Sequence, residues 1–402
     1  MLTTRRAAAD EWPDVPEEPK NRTEKALVPV VGGDSDVGVG GGFTTALQRI
    51  EEGYKPYKWR LEAATMITFK PAPDGGIDVP LQEYQAKIIL PHLLRDVWRF
   101  EIRPSFSWLS TLKYYGLGNA SIYEAETLVP SPPRFFEYGR RSPAVRTQSR
   151  LTLARGHFAL LGLSYTHNWI DVPADGKLAT DMRSGSAAVK EILGRTDPHG
   201  VARFEYGYIY DTRENEVSPT KGAFHQATFR LSPGSQGSIL PYQYAQANFI
   251  VRFYQKLGTP RLVLATRVIA DFFFGDAPFY ELTRYEDSNA IGGASGVRGV
   301  PAQRYYGKAK VLGNIEVRAD LFDFRISHKR FSLGGVAFFD AGRLWADYVS
   351  HPELDGTGLG LKYGVGGGLR IKSGTSFVVR MDLAYSPDAR PIGVYFGAGH
   401  AF

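Results

Sequence analysis

Two segments of the chain contain residue types that bind ligands in other proteins. Residues 37–43 read VGVGGGF, like a phosphate-binding glycine loop, but they alternate like a strand and no helix pattern follows them. Residues 211–222 read DTRENEVSPTKG, a twelve-residue length that would suit a calcium loop. However, Arg213 occupies the third position, the sixth is not glycine, and Gly222 replaces the closing glutamate. A plain turn is therefore favoured, and neither segment predicts a metal site.

Carboxylates that could perform acid–base catalysis occur on several predicted strands, and each has a basic residue nearby. Glu62, Glu101, Glu205 and Asp382 alternate with Arg or Lys, which is typical of a solvated lumen ladder and not of a proton-transfer pair. No G-x-S-x-G or H-E-x-x-H motif occurs, and the eight histidines are scattered. With no cysteine, the chain can form neither disulfides nor thiolate metal sites. We predict no enzyme activity, no catalytic residue, no metal and no cofactor.

The charge and hydropathy of the chain exclude two further classes. The 402 residues include 48 basic and 42 acidic side chains, but the basic ones alternate with apolar residues and form no block, so we expect no nucleic-acid partner. The mean hydropathy is −0.24, and no apolar run reaches the ~18 residues of a membrane helix. A transmembrane β-barrel has this composition, because only alternate residues of each strand face lipid.

Alternation of apolar and polar residues is the main structural signal. In 98–108 the residues Trp98, Phe100, Ile102, Pro104, Phe106 and Trp108 share one face, while arginine, glutamate and serine occupy the other. Segments of this kind, bounded by turn signals, predict an all-β protein with sixteen strands. The predicted strands are 26–31, 37–48, 58–69, 79–90, 98–108, 136–154, 157–170, 201–211, 223–231, 242–256, 261–275, 308–321, 331–342, 361–372, 377–385 and 393–402.

The connections between these strands alternate in length, which predicts a topology. The long ones, 113–135, 171–199, 276–307 and 344–359, all fall on one side of the predicted sheet. Bacterial barrels have an even number of antiparallel strands, short periplasmic turns and long extracellular loops. We therefore predict a sixteen-stranded antiparallel transmembrane β-barrel over residues 26–402 in a bacterial outer membrane, with both termini periplasmic. Residues 1–25 predict a flexible periplasmic tail. No signal peptide is visible at Met1, which indicates a mature chain or one whose upstream part was removed.

The glycine-rich segment before the twelfth strand contains Val297-Arg298-Gly299. From residue 308 the chain alternates, and its charged face carries Asn314, Glu316 and Arg318. The parity of the next strand places Asp340 on the same inward face as Glu316. Strands lie ~4.8 Å apart, so one guanidinium can bridge the two carboxylates.

These residues together resemble the BamA/TamA superfamily of outer-membrane assembly and secretion barrels. The resemblance covers about 26–402. It rests on the order and spacing of five motifs: Val297-Arg298-Gly299, Asn314-x-Glu316-x-Arg318, Phe338-x-Asp340-x-Gly342, the DTREN-x-x-SPTKG turn and the closing strand with its terminal Phe402.

The resemblance implies that the long extracellular loop folds back into the lumen. Arg298 and Gly299 with Glu316 and Asp340 would then form a loop latch. An aromatic residue usually follows the Arg-Gly pair in this family, and here it is Val300, which predicts different packing at the loop tip. Such barrels normally carry periplasmic repeat domains, for which this sequence offers only residues 1–25, so client delivery is open.

The resemblance also implies a weak seam between the first and last strands. Strand one is predicted to be short and contains Pro29, which cannot donate a ladder hydrogen bond. Val30 and Gly397 are expected near one another across this seam. Pro29 could equally mark only a strand end. In the last strand Val394, Phe396, Ala398 and Phe402 are predicted to form an outward row, interrupted by His400, that serves as a C-terminal assembly signal.

Three functions remain open from the sequence. The first is insertion or translocation of polypeptide through the seam. The second is a non-catalytic structural or scaffold subunit of a larger outer-membrane complex, and the third is a passive pore, which the folded-back loop disfavours. The expected partners are outer-membrane lipid, client outer-membrane proteins, and periplasmic or membrane subunits that replace the repeat domains.

Overall fold

The computed structural model describes residues 21–34, 36–54, 57–73, 75–94, 97–122, 134–285, 288–289, 291–326, 329–373, 377–388 and 392–402. Sixteen of its strands form one closed antiparallel barrel. They are β1 (Arg22–Asp34), β2 (Gly38–Ile50), β3 (Trp59–Pro71), β4 (Leu81–Leu93), β5 (Trp98–Lys113), β6 (Glu137–Ala154), β7 (His157–Asp171), β8 (His199–Asp211), β9 (Gly222–Pro233), β10 (Gln243–Leu257), β11 (Thr259–Gly275), β12 (Ala309–Ile326), β13 (Lys329–Trp345), β14 (Lys362–Ser373), β15 (Phe377–Tyr385) and β16 (Gly393–Ala398).

The predicted fold class and strand count are confirmed, but two strand lengths are wrong. β1 was expected to be short and instead spans thirteen residues, all paired with β2. It begins at Arg22, so the last residues of the predicted tail belong to the barrel, and residues 1–20 lie outside the described residues. β16 is the short strand, with six residues, because the chain leaves the sheet after Ala398. Sequence alternation continues through 402 and therefore concealed this end.

Alternation places aromatic side chains outside the barrel and charged ones inside. On β8, Phe204, Tyr206 and Tyr208 are each at least 40% exposed, while Glu205 between them is buried against Arg146 and Arg230. In a spanning barrel the outward row contacts lipid and the inward row faces the lumen. The strand surface thus has the polarity that the sequence predicted.

The connections divide the barrel into two ends. The long-loop rim carries 114–136, 172–198, 276–308 and 346–361, and the short-turn rim carries the tight connections such as 155–156 and 258. Two helices missed by the strand pattern, α1 (Lys177–Ser184) and α2 (Ala187–Leu193), lie in 172–198, and a one-turn helix α3 (Pro352–Asp355) lies in 346–361. Among the described residues, no helix has the length and apolar character needed to cross a membrane.

A hydrophobic core lies at the long-loop rim. It joins Leu178 of α1 and Ile192 of α2 to buried tyrosines such as Tyr114, Tyr138 and Tyr306. It also includes residues of β5, β6, β8, β10 and β11 together with Ala346 after β13. We call this core the rim cap. The segment 276–307, the folded-back loop, begins in the rim cap with Phe279 and then continues into the lumen.

Candidate functional site: the folded-back loop and the barrel seam

One arginine of the folded-back loop, Arg298, bridges two barrel strands. Arg298 is fully buried, and its guanidinium donates to both oxygens of Asp340, from Nε at 2.7 Å and from Nη2 at 3.0 Å. Nη1 donates to Oε1 of Glu316 at 2.7 Å. Asp340 also accepts the backbone N–H of Arg298 at 3.2 Å. Asp340 lies on β13 and Glu316 on β12, so one side chain bridges two neighbouring strands with the fork geometry that favours Arg over Lys.

A third carboxylate belongs to this cluster and was missed by sequence reasoning. Asp382 on β15 was interpreted as part of a solvated ladder, but it is fully buried. Its Oδ1 accepts a hydrogen bond from Nη1 of Arg370 at 2.6 Å, and its Oδ2 lies 3.5 Å from Nη1 of Arg298. The sequence did place Asp382 on the inward face of β15, two strands from Asp340 on β13, and this position could have indicated that it belongs to the cluster. The ladder interpretation is therefore wrong for Asp382, because the folded-back loop excludes water from this part of the lumen.

The surroundings of Arg298 keep it charged. Its guanidinium carbon lies 3.4 Å from the centroid of the Phe338 ring, a cation–π contact. Burial alone would lower the pKa of Arg298, but the hydrogen bonds and charges of Asp340 and Glu316 outweigh burial and raise its pKa above the usual range. Glu316 has a second cation, Arg318, at 2.7 Å, and Asp340 accepts a hydrogen bond from Asn314 at 2.7 Å. The cluster is therefore an interlocked buried network.

Gly299 is required by its backbone. Its φ of +93° is in the left-handed region, and a Cβ there would lie 2.8 Å from the carbonyl carbon of Tyr385 at the end of β15. The Gly299 N–H donates to the hydroxyl of Tyr395 on β16 at 2.9 Å. Close approach also occurs on the other side, since a Cβ on Gly364 would lie 1.8 Å from the carbonyl oxygen of Arg298. The loop backbone is thus held between two strands.

Val300 occupies the position where the family resemblance calls for an aromatic residue. It is fully buried and belongs to a hydrophobic cluster formed by Ile250, Ile269, Ile291, Val297, Val300, Tyr305, Leu312 and Leu344. Tyr305, five residues after Val300 in the chain, contributes an aromatic ring to this cluster. A valine at this position is therefore compatible with a close-packed loop tip.

Within the described residues, the seam between β1 and β16 contains two residue pairs, Gly33 with Phe396 and Asp34 with Tyr395. Both lie at the long-loop end of β1. Pro29 and Val30 pair with Phe43 and Gly42 on β2. The structure does not bring Val30 opposite Gly397, because continuing the observed register would place Gly397 opposite Gly32. The seam is short because β16 ends early, whereas the sequence argument assigned the shortness to β1.

The last residues turn into the lumen. Phe396 is 46% exposed on the outer face, as expected, but Phe402 is buried, so the predicted outward row ending at Phe402 is wrong. The Phe402 ring lies under the guanidinium of Arg267 at 4.7 Å and of Arg318 at 5.2 Å. Nη2 of Arg318 donates to the backbone oxygen of Phe402 at 2.8 Å. The chain leaves the strand at Gly399, whose φ is +79°, and these arginine contacts hold the ring inside the lumen.

The turn at 212–221 is closed by its own side chains. Oε1 of Glu214 accepts the backbone N–H of Thr220 at 2.6 Å, and Asn215 accepts the N–H groups of Val217 and Ser218. The side chains of Glu214 and Asn215 thus bind backbone N–H groups of the turn itself. Within the described ranges, no group of three or more His, Asp or Glu side chains is arranged to hold a metal ion.

Together, the spanning strands, the lumen loop and its buried arginine define an outer-membrane type of β-barrel with an internal latch. The Omp85 superfamily domain matches residues 133–402, well over half of the chain, and the chain therefore belongs to the Omp85 superfamily. A search of the curated proteins finds no match.

Solved structures show the same fold. The chain is similar to BamA from Haemophilus ducreyi lacking POTRA domains 1-3, with 15% identity and a TM-score of 0.61 over 94% of this chain and 70% of that one. It is also similar to CdiB from Escherichia coli, with 16% identity and a TM-score of 0.57 over 95% of this chain and 62% of that one. CdiB from Acinetobacter baumannii has 12% identity and a TM-score of 0.50 over 94% and 59% of the two chains. The chain thus spans about three fifths of the CdiB chains.

Proposed function

We propose that this barrel aids the insertion or translocation of polypeptide at the bacterial outer membrane by opening at the seam between β1 and β16. The observation that carries the proposal is the contrast in pairing of β1, which has thirteen residue pairs with β2 and two with β16. Membership of the Omp85 superfamily and the likeness to BamA and CdiB support the same class of function.

The short seam has an energetic consequence. Each ladder hydrogen bond contributes about 0.5–1.5 kcal/mol in water, and its loss costs more in lipid, where an unpaired backbone group has no solvent. Two residue pairs are therefore a small barrier compared with the thirteen that join β1 to β2. Separation at the seam should precede separation at any well-paired boundary of the barrel.

The edge of β1 supports a templating role. Between Arg22 and Gly32 no pairing with β16 occurs in the described structure, and the five residues from Lys25 to Pro29 are all exposed. An extended edge of this kind can pair with an incoming strand. Client strands of outer-membrane proteins are the partner chemistry that fits, with lipid on the outer face. β1 begins at Arg22 on the short-turn rim, and His400 hydrogen-bonds with Ser218 of the 212–221 turn on the same rim. This rim would face the periplasm and any partner subunits there.

A crosslink across the seam tests the proposal. Gly32 and Gly397 stand one step beyond the last seam pair, and a Cβ on either would meet no atom closer than 3.4 Å. Cysteines at these positions should form a disulfide, and the chain has no other cysteine to compete. We expect the oxidised protein to lose activity in an assay that follows insertion of a client barrel into proteoliposomes, and to recover it on reduction.

The matched control is a cysteine pair at Gly313 and Ala341, which face one another on β12 and β13. Crosslinking there should leave client insertion unchanged, because that boundary is already fully paired. Complete crosslinking of positions 32 and 397 with undiminished insertion would refute the gate and favour the structural or scaffold role.

A further inference from the structure

Two residues of the folded-back loop, Gly299 and Ala302, contact the two sides of the seam. The Gly299 N–H donates to the Tyr395 hydroxyl on β16 at 2.9 Å. The Ala302 N–H donates to Oδ2 of Asp36, in the turn between β1 and β2, at 2.8 Å. The loop therefore connects the strand on one side of the seam to the turn on the other, over a span of only three peptide units.

These contacts lie beside the two residue pairs that the described part of the seam contains. Tyr395 is itself the partner of Asp34 in the seam register. Oδ1 of Asp34 accepts the N–H groups of Asp36 and Val37 at 2.9 Å each, which fixes the β1–β2 turn in the conformation that presents Asp36 to the loop. The two seam pairs and the two loop contacts thus form one hydrogen-bonded unit.

The loop also holds the segment that follows β16. Arg267 donates from Nη2 to the carbonyl oxygen of Ser295 in the loop at 2.5 Å and from Nη1 toward that of Ala401 at 3.5 Å. Arg318 donates to Phe402 at 2.8 Å and also binds Glu316, the carboxylate that receives Arg298. Arg267 therefore binds both the loop and Ala401, whereas Arg318 links Phe402 to the loop through Glu316.

We infer that the folded-back loop is the clasp of the seam, so that β16 and β1 separate only when the loop is released. This inference deepens the proposed function, on which it rests for its biological meaning. The anchoring network sits on β12, β13 and β15, whereas the clasp contacts reach β16 and the β1–β2 turn. Arg298 thereby controls a boundary that it does not itself form.

Hydrogen exchange of the purified full chain in lipid nanodiscs tests the clasp. Arg298→Ala should speed amide exchange in peptides covering 22–34 and 393–398, although Arg298 binds neither strand. Tyr395→Phe keeps the ring and removes the hydroxyl contact, and it should speed exchange in the same peptides roughly five- to tenfold, as expected for one buried hydrogen bond. Tyr395→Phe also provides a folded variant if Arg298→Ala fails to assemble.

Tyr242→Phe is the matched control, because the Tyr242 hydroxyl bonds only to the rim, at the carbonyl oxygen of Arg195, 3.3 Å away. It should leave seam exchange at the wild-type rate. Coupling is reciprocal, so the 32–397 disulfide should in turn slow exchange in 291–302. Unchanged seam exchange in Tyr395→Phe and Arg298→Ala, or a disulfide without effect on the loop, would overturn the clasp. Exchange is measured without any client protein, so failure of the proposed function would leave these results standing, and the reverse also holds.

Discussion

Removing the Arg298 side chain should release the folded-back loop while the barrel persists. The substitution Arg298→Ala deletes the two hydrogen bonds to Asp340 at 2.7 and 3.0 Å and the one to Glu316 at 2.7 Å. Arg318 would still neutralise Glu316, and Arg370 would still neutralise Asp382. While the loop is closed, Asp340 would keep the hydrogen bonds from the Asn314 amide and from the backbone N–H of residue 298, but it would be a buried carboxylate without an ion-pair partner.

The expected magnitude follows from that uncompensated charge. Breaking a buried ion pair by removing one partner costs about 3–5 kcal/mol. Every ~1.4 kcal/mol is a factor of ten in an equilibrium constant, so the loop-open state should become roughly two to three and a half orders of magnitude more populated. Arg298→Lys keeps the charge but cannot bind Asp340 bidentately, so we expect a smaller increase.

Thiol labelling can measure this population. Val297 is fully buried beside Arg298, and Val297→Cys in this cysteine-free chain gives a thiol that reacts only when the loop opens. Arg304 supplies the matched control, since it is equally buried on the same loop but donates to Ser121 at 2.9 Å and not to the strand carboxylates. Labelling should accelerate in Arg298→Ala and change little in Arg304→Ala. Equal rates in wild type and Arg298→Ala would refute the reasoning, provided both run as folded, heat-modifiable species on a gel.

Three further predictions concern the same region. Gly299→Ala should raise labelling of the Val297→Cys thiol roughly 10- to 100-fold, because its φ is +93° and a Cβ would strike the β15 backbone, whereas Gly358→Ala, with open space around its Cβ, should not. Burial, followed by the charge of Asp34, raises the pKa of Asp36 to about 7, against an ordinary value near 3.8. The folded state therefore favours the protonated carboxyl of Asp36. The stability that this group contributes to the folded state is fully present below about pH 4 and is lost as the pH rises through 7. Exchange of the Ala302 amide, which donates to Asp36, should therefore increase between pH 5.5 and 8.5 after correction for intrinsic rates. The increase should be smaller than full burial would give, because Asp36 is partly exposed. Asp36→Asn should abolish this pH dependence, and pH-independent exchange in the wild type would contradict the prediction. Phe402→Ala should lower the temperature at which the folded band disappears on a gel, because Phe402 is buried. Phe402→Leu should melt closer to wild type, and Phe396→Ala should have a smaller effect because Phe396 is 46% exposed. Equal melting of the wild type and the three variants would show that burial of Phe402 adds no stability.

Most of the barrel could be predicted from the sequence, because a strand that faces lipid on one side and a polar lumen on the other must alternate. That rule located every barrel strand and placed Glu316 and Asp340 on the inward face. It also gave the long and short connections on opposite rims. Periodicity is a local property, and local properties were sufficient here.

What could not be predicted depends on contacts across the lumen. Asp382 looks like any inward carboxylate until the loop arrives and excludes its water. Phe402 continues the alternation of β16 in the sequence, but its ring lies in the lumen against the guanidinium groups of Arg267 and Arg318. The pairing of β1 likewise depends on where β16 ends. The helices α1 and α2 were hidden in a polar segment whose apolar residues, Leu178, Val189, Ile192 and Leu193, are few and closely spaced.

The rim cap gives the barrel wall two unequal halves. Its buried side chains come from β5, β6, β8, β10 and β11 and include Ala346 after β13, so the arc that contains these strands is braced like the core of a globular protein. The arc that contains β16, β1 and β2 contributes no residue to that core within the described chain. Strain applied to the wall, by a thinned bilayer or an intruding strand, will therefore not spread evenly. The braced arc will keep its shape, and the deformation will be concentrated in the arc that contains the seam.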